Sequence, residues 1–292
     1  MKQKTHEYIT RQYMLTSDYE IFHYTSKDLS GVSLHHHDFY ECYLFLSGNV
    51  TYLIEGKSYP LTPGDIVLVN SKELHQASIN SKDSAYDRFV LWLNPSFIRD
   101  LSTEAMDLTR CFESPSRKNV LRVEYEWQQN LRILMNKLIS LERFQGVGQE
   151  LLYRSYITEL MVYINNLTFS EEVRLDVEVE RSNLIEQILE YIDAHIEEDI
   201  TVDELSEYTY LSKFHLSREF KKHTGTTLHR YILQKKLIAA KELILQDIPI
   251  TLVYEQSGFG DYSNFFRAFK NEYGMTPKQY YVAMKRSSAT LR

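Results

Sequence analysis

The chain of 292 residues has no run of 18 or more apolar residues, which excludes a membrane-spanning helix of ordinary length. It has only two cysteines, Cys42 and Cys111, too few for a disulfide scaffold. A reduced structural pair is the expectation, because disulfides belong to oxidising compartments. The start "MKQKTHEYIT" lacks the apolar centre of a secretory signal, so the expected location is cytoplasmic. Positive charge is also short, with a formal net charge of −7. Spread evenly, that sign would argue against a polyanionic partner. The charge is not spread evenly. Residues 205–292 carry 14 Lys and Arg against 7 Asp and Glu, while the remainder carries 19 against 33. One end is fit to meet a polyanion and the other is not. Outside one histidine-rich stretch, no acid/base pair that would announce a catalyst is visible.

What is present is ordinary globular material. Apolar residues make 43% of the chain and charged residues 25%, too apolar for disorder, and the length suggests two domains. Residues 19–93 read as short strands: "YEIFHYT", "FYECYLFL", "NVTYLIEG", "KSYPL", "DIVLVN", "HQASI" and "RFVLWL". Their alternation, their β-branched and aromatic content and the Gly, Pro, Asn or Asp at their breaks favour β structure. "IEGKSY" reads as a hairpin. Seven or so strands without intervening helices predict an antiparallel sandwich or barrel.

The stretch "GVSLHHHDFYECYLFLSG" lies in this region. On a strand, positions two apart face the same way, so His35, His37 and Glu41 can face one cavity, and His36 then points outward to the surface. Three readings of the inward set are open: a divalent ion, a polar lining for an organic ligand, or packing. Tyr43, Tyr52 and Trp92 could offer a face to a sugar ring or simply fill the core. The pattern His35-x-His37-x3-Glu41-x6-Gly48, with Pro63-Gly64-Asp65 and His75 downstream, resembles the two-part signature of the cupins, small jelly-roll barrels. That resemblance implies His35, His37, Glu41 and His75 as the ligands if any metal is bound. Three imidazoles and a carboxylate suit Fe, Mn, Zn or Ni. No cofactor is otherwise expected, and many cupins keep the barrel without an ion.

Beyond residue 110 the period changes. Trp127, Leu131, Leu134, Leu138 and Leu141 repeat in steps of four and three, the seam of a helix packed on another helix. Leu152, Tyr156, Leu160, Tyr163 and Leu167 continue after Gly146 and Gly148. This helical hairpin either covers its own barrel or forms a homodimer interface. Residues 168–183 have no apolar period and read as a linker.

The tail is helical and internally doubled. Arg218, Phe220, Lys221, Gly225 and Tyr231 recur 49 positions later as Arg267, Phe269, Lys270, Gly274 and Tyr280. Thr201-x-x-Glu204 reads as a capping box, Ser212 as the cap of the next helix, and Gly258-Phe259-Gly260-Asp261 as the matching turn of the second copy. Helix, tight turn and basic helix make a helix-turn-helix unit, here present twice. Residues 228–246 read as one connecting helix of about 27 Å, a length that lets the two units enter successive major grooves about 34 Å apart.

Residues 184–281 resemble the DNA-binding domain of the AraC/XylS family of bacterial transcription regulators. The resemblance rests on Ile250-x2-Val253, Gly258-Phe259, Phe265, Arg267-x-Phe269-Lys270 and Gly274-x-Thr276-Pro277-x3-Tyr280. Ser206 and Tyr254 depart from it, standing where the family usually has alanine. Barrel, hairpin and tail in this order also look like its sugar-responsive members.

The expected fold is therefore α+β: an antiparallel jelly-roll barrel at residues 1–110, a helical hairpin at 111–168, a linker at 169–183 and an all-α domain of two helix-turn-helix units at 184–292. Expected DNA contacts on the first reading helix are Ser212, Lys213, Phe214, Ser217, Arg218, Lys221 and Lys222. On the second they are Tyr262, Ser263, Asn264, Arg267 and Lys270. Arg218 and Arg267 suit bidentate pairing with guanine, and the lysines, Lys278 included, suit phosphate. Leu216, Phe220, Phe265 and Phe269 belong to the opposite, buried face. Expected effector contacts are His35, His37, Glu41, Tyr43, His75 and Trp92. The expected partners are promoter DNA, a small molecule such as a sugar, a second copy of the chain and, for an activator, RNA polymerase. The competing expectation is a metal-dependent cupin enzyme, an isomerase or dioxygenase, carrying an appended DNA-binding module.

Overall fold

The computed structural model describes residues 13–27, 29, 31–81, 85–170, 174–175, 177 and 182–289, so most of the expected linker lies outside the described residues. The chain divides into two compact units, 1–180 and 181–292.

The first unit opens with eight strands: β1 (Tyr19–Ser26), β2 (Gly31–His35), β3 (Tyr40–Ser47), β4 (Asn49–Ile54), β5 (Lys57–Pro60), β6 (Ile66–Val69), β7 (His75–Ser81) and β8 (Tyr86–Leu93). After the short helices α1 (Pro95–Leu101) and α2 (Arg110–Glu113) come β9 (Val120–Val123), helices α3 (Tyr125–Leu141) and α4 (Gln149–Phe169), and the two-residue β10 (Arg174–Leu175). They form two antiparallel sheets, ordered β1-β8-β3-β6-β9-β10 and β2-β7-β4-β5. The segment expected to be purely helical from residue 111 therefore also contains a barrel strand, β9, paired to β6. A four-residue strand among Ser, Arg and Lys carries too little period to be read from sequence.

Alternation along β3 and β8 sorts their side chains into two cores. Tyr40, Cys42, Leu44, Phe89, Leu91 and Leu93 face α3 and α4 and pack with Leu131, Leu134, Leu138, Leu160 and Ile164. Tyr43, Phe45, Tyr86, Val90 and Trp92 face the other sheet and pack with Val50, Tyr52 and Ala77. The hairpin seam thus covers its own sheet. Both cysteines are free thiols buried in or beside that outer core. Asn165 ties α4 to the loop and helix below it, accepting from Cys111 N at 3.1 Å and donating to Leu108 O at 2.9 Å. His36 corrects the surface reading: it is 2% exposed. Strand β2 ends at His35, so the strict alternation that would have turned His36 outward no longer operates there.

The second unit is helical: α5 (Asn183–Ala194), α6 (Val202–Thr209), α7 (Lys213–Thr224), α8 (Leu228–Leu245), α9 (Ile250–Gln256), α10 (Tyr262–Tyr273) and α11 (Pro277–Ala289). Both halves of the capping box on α6 are formed, Thr201 N donating to Glu204 at 3.0 Å and Glu204 N to Thr201 Oγ1 at 3.2 Å. The departure at Ser206 has a use, because its hydroxyl donates to Leu211 O and closes the turn after α6. Tyr254 is accommodated at the edge of the second core, its ring edge-on to Tyr262 at 5.8 Å and its hydroxyl donating to Glu255.

Gly258 lets the turn between α9 and α10 approach the backbone of the segment between α5 and α6. Its φ is +77°, and a Cβ there would lie 2.1 Å from Ile196 O and 2.9 Å from Glu198 O, both backbone atoms that cannot step aside. Gly274, at φ +69°, ends α10 with open space around it. Gly274→Ala is expected to cost about 1 kcal/mol, the strain of a left-handed residue alone. Gly258→Ala adds a backbone collision and is expected to cost at least twice as much, as read from the thermal unfolding midpoint of each variant.

Candidate functional site

In the second unit, α7 and α10 are the two basic helices at the exposed edge of their helix-turn-helix pairs. Ser212 caps α7 by accepting from His215 N at 3.3 Å, and Asp261 caps α10 by accepting from Asn264 N at 3.0 Å. These caps set the rotation of each helix. Leu216, Phe220, Phe265 and Phe269 are fully buried. Ser212, Lys213, Phe214, Ser217, Arg218, Lys221 and Lys222 on the first helix are exposed, as are Tyr262, Ser263, Asn264, Arg267 and Lys270 on the second. Two exposed aromatics reinforce the first surface: Phe214, and Tyr210, 95% exposed in a left-handed conformation at φ +56°. Sequence reasoning missed Tyr210, since a tyrosine in a turn gives no glycine-like signal.

The two arginines are held differently. Arg218 donates to Glu219 at 3.3 Å and lies 3.2 Å from His215 Nδ1, and Glu219 also faces Lys222 and His223, each at 3.9 Å. Arg267 donates to Asn264 Oδ1 at 2.7 Å and Ser263 O at 3.3 Å, with no carboxylate in that pair of contacts. Between them α8 spans 18 residues, about 27 Å. It meets the first helix-turn-helix through Tyr231 against Phe220, centroids 5.5 Å apart, and the second through Leu237, Ala240 and Ile244. Lys236 Nζ donates to Gly258 O at 2.5 Å and Gln234 donates to Glu272 at 2.8 Å. Lys241 is buried over the Tyr273 ring, and that burial pushes its pKa down to about 7.

In the first unit, the inward faces of the sheets converge on a polar cluster. His35 and His75 are register partners on β2 and β7, and His37 follows β2. Ring centroids of His35 and His75 are 4.3 Å apart, and those of His37 and His75 4.8 Å. Each Nδ1 meets a backbone carbonyl: His35 that of Ser33 at 2.9 Å, His37 that of Phe39 at 2.8 Å, His75 that of Glu73 at 2.9 Å. Donation there leaves the Nε2 atoms of His37 and His75 as buried acceptors, while the His35 ring also hydrogen-bonds the His75 backbone. One nitrogen from each ring lies within 4.8 Å of the others. Glu41 stands outside that trio. Its Oε1 accepts from Tyr52 OH and its Oε2 from Trp92 Nε1, both at 2.9 Å, and its nearest approach to an imidazole is 3.7 Å, to His37 Nε2. Tyr43 OH donates to Tyr86 OH deeper in the barrel. Arg88, 1% exposed, lies against the Tyr86 ring at 4.0 Å and donates to Ser26 Oγ at 2.9 Å and Tyr86 O at 3.0 Å. Sequence reasoning missed Arg88, although the alternation of Tyr86, Arg88, Val90 and Trp92 on β8 was the signal that could have placed it inside.

Residues 19–153 match the family described as AraC-like ligand binding domain, and residues 205–281 match the family described as helix-turn-helix domain. The probable transcriptional regulator LumQ of Photobacterium leiognathi is 30% identical over 250 residues, 84% of this chain and 90% of its own length. The chain belongs to the AraC family of transcription regulators. Other AraC-family relatives include the HTH-type transcriptional activator RhaS of Yersinia pestis bv. Antiqua (strain Angola), 26% identical over 84% of this chain and 87% of its own. The HTH-type transcriptional regulator YbfI of Bacillus subtilis (strain 168) is 29% identical over 79% of this chain and 80% of its own. The AraC-type organisation assigns DNA to the second unit and a small-molecule effector to the first. No helix among the described residues is long and apolar enough to cross a membrane.

Burial governs the titration of the barrel site. It lowers the pKa of His75 to about 4; burial and the adjacent His75 lower that of His35 to about 4; burial, His75 and His35 hold His37 well below its ordinary value. Burial raises Glu41. In the unfolded chain the histidines take protons near pH 6.5, whereas in the fold His35 and His75 stay neutral until near 4 and His37 is held well below its ordinary value. Between those values the unfolded state binds more protons, so stability falls as pH drops. Each histidine contributes up to about 1.4 kcal/mol per pH unit, and Glu41 partly offsets the loss. In the presence of a chelator, His75→Gln is therefore expected to lose less stability than the wild type between about pH 7 and about pH 5. Equal shifts of the urea midpoint in the two proteins would contradict the assignment.

Proposed function

We propose that the chain is a cytoplasmic, homodimeric regulator whose barrel senses a sugar-like small molecule and whose α7 and α10 read two adjacent major-groove segments of a promoter. One observation carries the reading: two capped basic helices, exposed on one face and buried on the other, pack on the single helix α8. Arg218 and Arg267 take guanine edges, aided by Phe214, Ser217, Tyr262, Ser263 and Asn264. Lys213, Lys221, Lys222, Lys270 and Lys278 neutralise phosphates, which adds affinity without sequence information. Ser212 fixes the entry of α7.

The effector reading draws on the inward Glu41, Arg88, Tyr43 and Tyr52 polar groups beside the Trp92 ring, a mix of charge, hydroxyl and aromatic face that suits a polyhydroxylated molecule. Dimerisation draws on the α3–α4 hairpin, whose Tyr125, Ile133 and Leu151 are exposed by half or more. An activator of this build would also touch RNA polymerase. Catalysis is not part of the proposal: both oxygens of Glu41 are engaged by Tyr52 and Trp92, which suits binding better than proton transfer.

Random oligonucleotide selection with the full chain supplies the site against which variants are measured. Arg267→Ala is expected to relax preference at one base pair, a loss of about 1–3 kcal/mol of discrimination, with unchanged far-UV circular dichroism. Lys270→Ala should weaken all sites alike and lower the log–log salt slope by about 0.9. Uniform binding to every sequence by the wild type would sink the reading, and a thermal-shift screen against mono- and oligosaccharides tests the effector class separately.

A further inference from the structure

The internal repeat of the second unit breaks at one charge. Residues of α7 recur on α10 after 49 positions, and by that offset Glu219 of α7 stands where α10 has Ala268. The second helix shows that this position folds without a carboxylate. The Glu219 side chain is 20% exposed and sits among basic groups, with Arg218 at 3.3 Å and Lys222 and His223 at 3.9 Å. The side chains of Arg218 and Lys222 are themselves more than half exposed. Ion pairs open to water on one side add little to stability, so holding α7 together is a weak reason for the carboxylate. Its effect falls instead on two of the cations that α7 offers to DNA. A third, Lys213, pairs with Asp203 of α6. Among the described residues neither Arg267 nor Lys270 on α10 meets a carboxylate.

We propose that Glu219 is a specificity-determining residue that acts through Arg218 and Lys222: it weakens their grip on phosphate and holds the Arg218 guanidinium ready for a base edge. The proposal rests on the reading that α7 enters a major groove. Phosphates attract any cation within reach, whatever the sequence, so a cation that swings freely adds affinity everywhere and selectivity nowhere. Arg218 is restrained. Its Nη2 lies 3.3 Å from Glu219 Oε1 and 3.2 Å from His215 Nδ1, so the guanidinium is held between side chains one helical turn apart. A phosphate must break this arrangement to take Arg218, and it is also repelled by the negative charge at 219. A guanine edge presents two acceptors that match the guanidinium fork, which offsets the exchange. Glu219 therefore weakens binding to random DNA more than binding to a matched site.

The test uses the full chain, its selected site and a random-sequence duplex, each titrated across a range of salt. Glu219→Gln removes the charge and keeps the size, and Glu219→Ala copies α10. Both are expected to tighten random-sequence binding by roughly 3- to 10-fold near 0.1 M salt and to steepen its log–log salt slope by about 0.9, the equivalent of one more phosphate contact. Binding to the selected site should tighten less, so the ratio of the two affinities falls. Glu219→Asp keeps the charge and should retain most of the wild-type ratio and slope. A carboxylate that merely stabilised α7 through its pairs with Lys222 and His223 would, when removed, lower the unfolding midpoint and weaken both duplexes alike. That result, or an unchanged ratio and slope in Glu219→Gln beside a selective wild type, would overturn the role of Glu219 alone. A wild type without sequence preference would overturn both this role and the groove reading beneath it.

Discussion

Helix α8 is the constraint on which DNA reading depends. A helix with Leu228, Tyr231 and Ile232 buried toward one helix-turn-helix and Leu237, Ala240, Ile244 toward the other cannot bend without opening a core. Its buried cations serve the same end. Lys236 caps the carbonyl of Gly258, and Lys241 lies over Tyr273 at a cost in desolvation that only a rigid surrounding would tolerate. The distance between α7 and α10 is thus set by 18 residues of continuous helix rather than by a linker, so the two helices act as one reader of fixed span.

In the first unit the equivalent constraint is the two-residue period of β3 and β8. The backbone that presents Glu41 and Tyr43 inward presents Tyr40, Cys42 and Leu44 outward against α3 and α4. In the proposed reading the effector site and the hairpin occupy two faces of one sheet. A molecule bound there that displaced Glu41 or Trp92 would move residues packed on the hairpin without any intervening hinge, because close-packed cores transmit strain rather than absorb it.

The strands and the reading helices were legible because periodicity and caps are local. Thr201-x-x-Glu204, Ser212 and the repeat at 49 positions needed no tertiary information, and the buried and exposed faces of α7 and α10 followed from spacing alone. What was not legible depended on partners far along the chain. His36 is covered because β2 stops one residue before it. Strand β9 exists only because β6 offers it an edge. Glu41 shares a motif with the histidines yet is drawn away by Tyr52 and Trp92, residues 11 and 51 positions distant, which no local pattern records.

The two reading helices, alike in sequence, are not alike electrostatically. On α7, Glu219 is half-buried and shared by Arg218, Lys222 and His223, so a guanine edge or a phosphate must compete with a fixed carboxylate for each of those groups. On α10, the groups holding Arg267 are neutral: the Asn264 side chain and the Ser263 carbonyl. A neutral acceptor orients a guanidinium without cancelling its charge, and it releases that guanidinium at lower cost than a carboxylate does. In the proposed reading α10 would supply the sharper base discrimination, while Phe214 on α7 and Tyr210 at the end of α6 offer exposed apolar faces suited to thymine methyl groups and sugar edges.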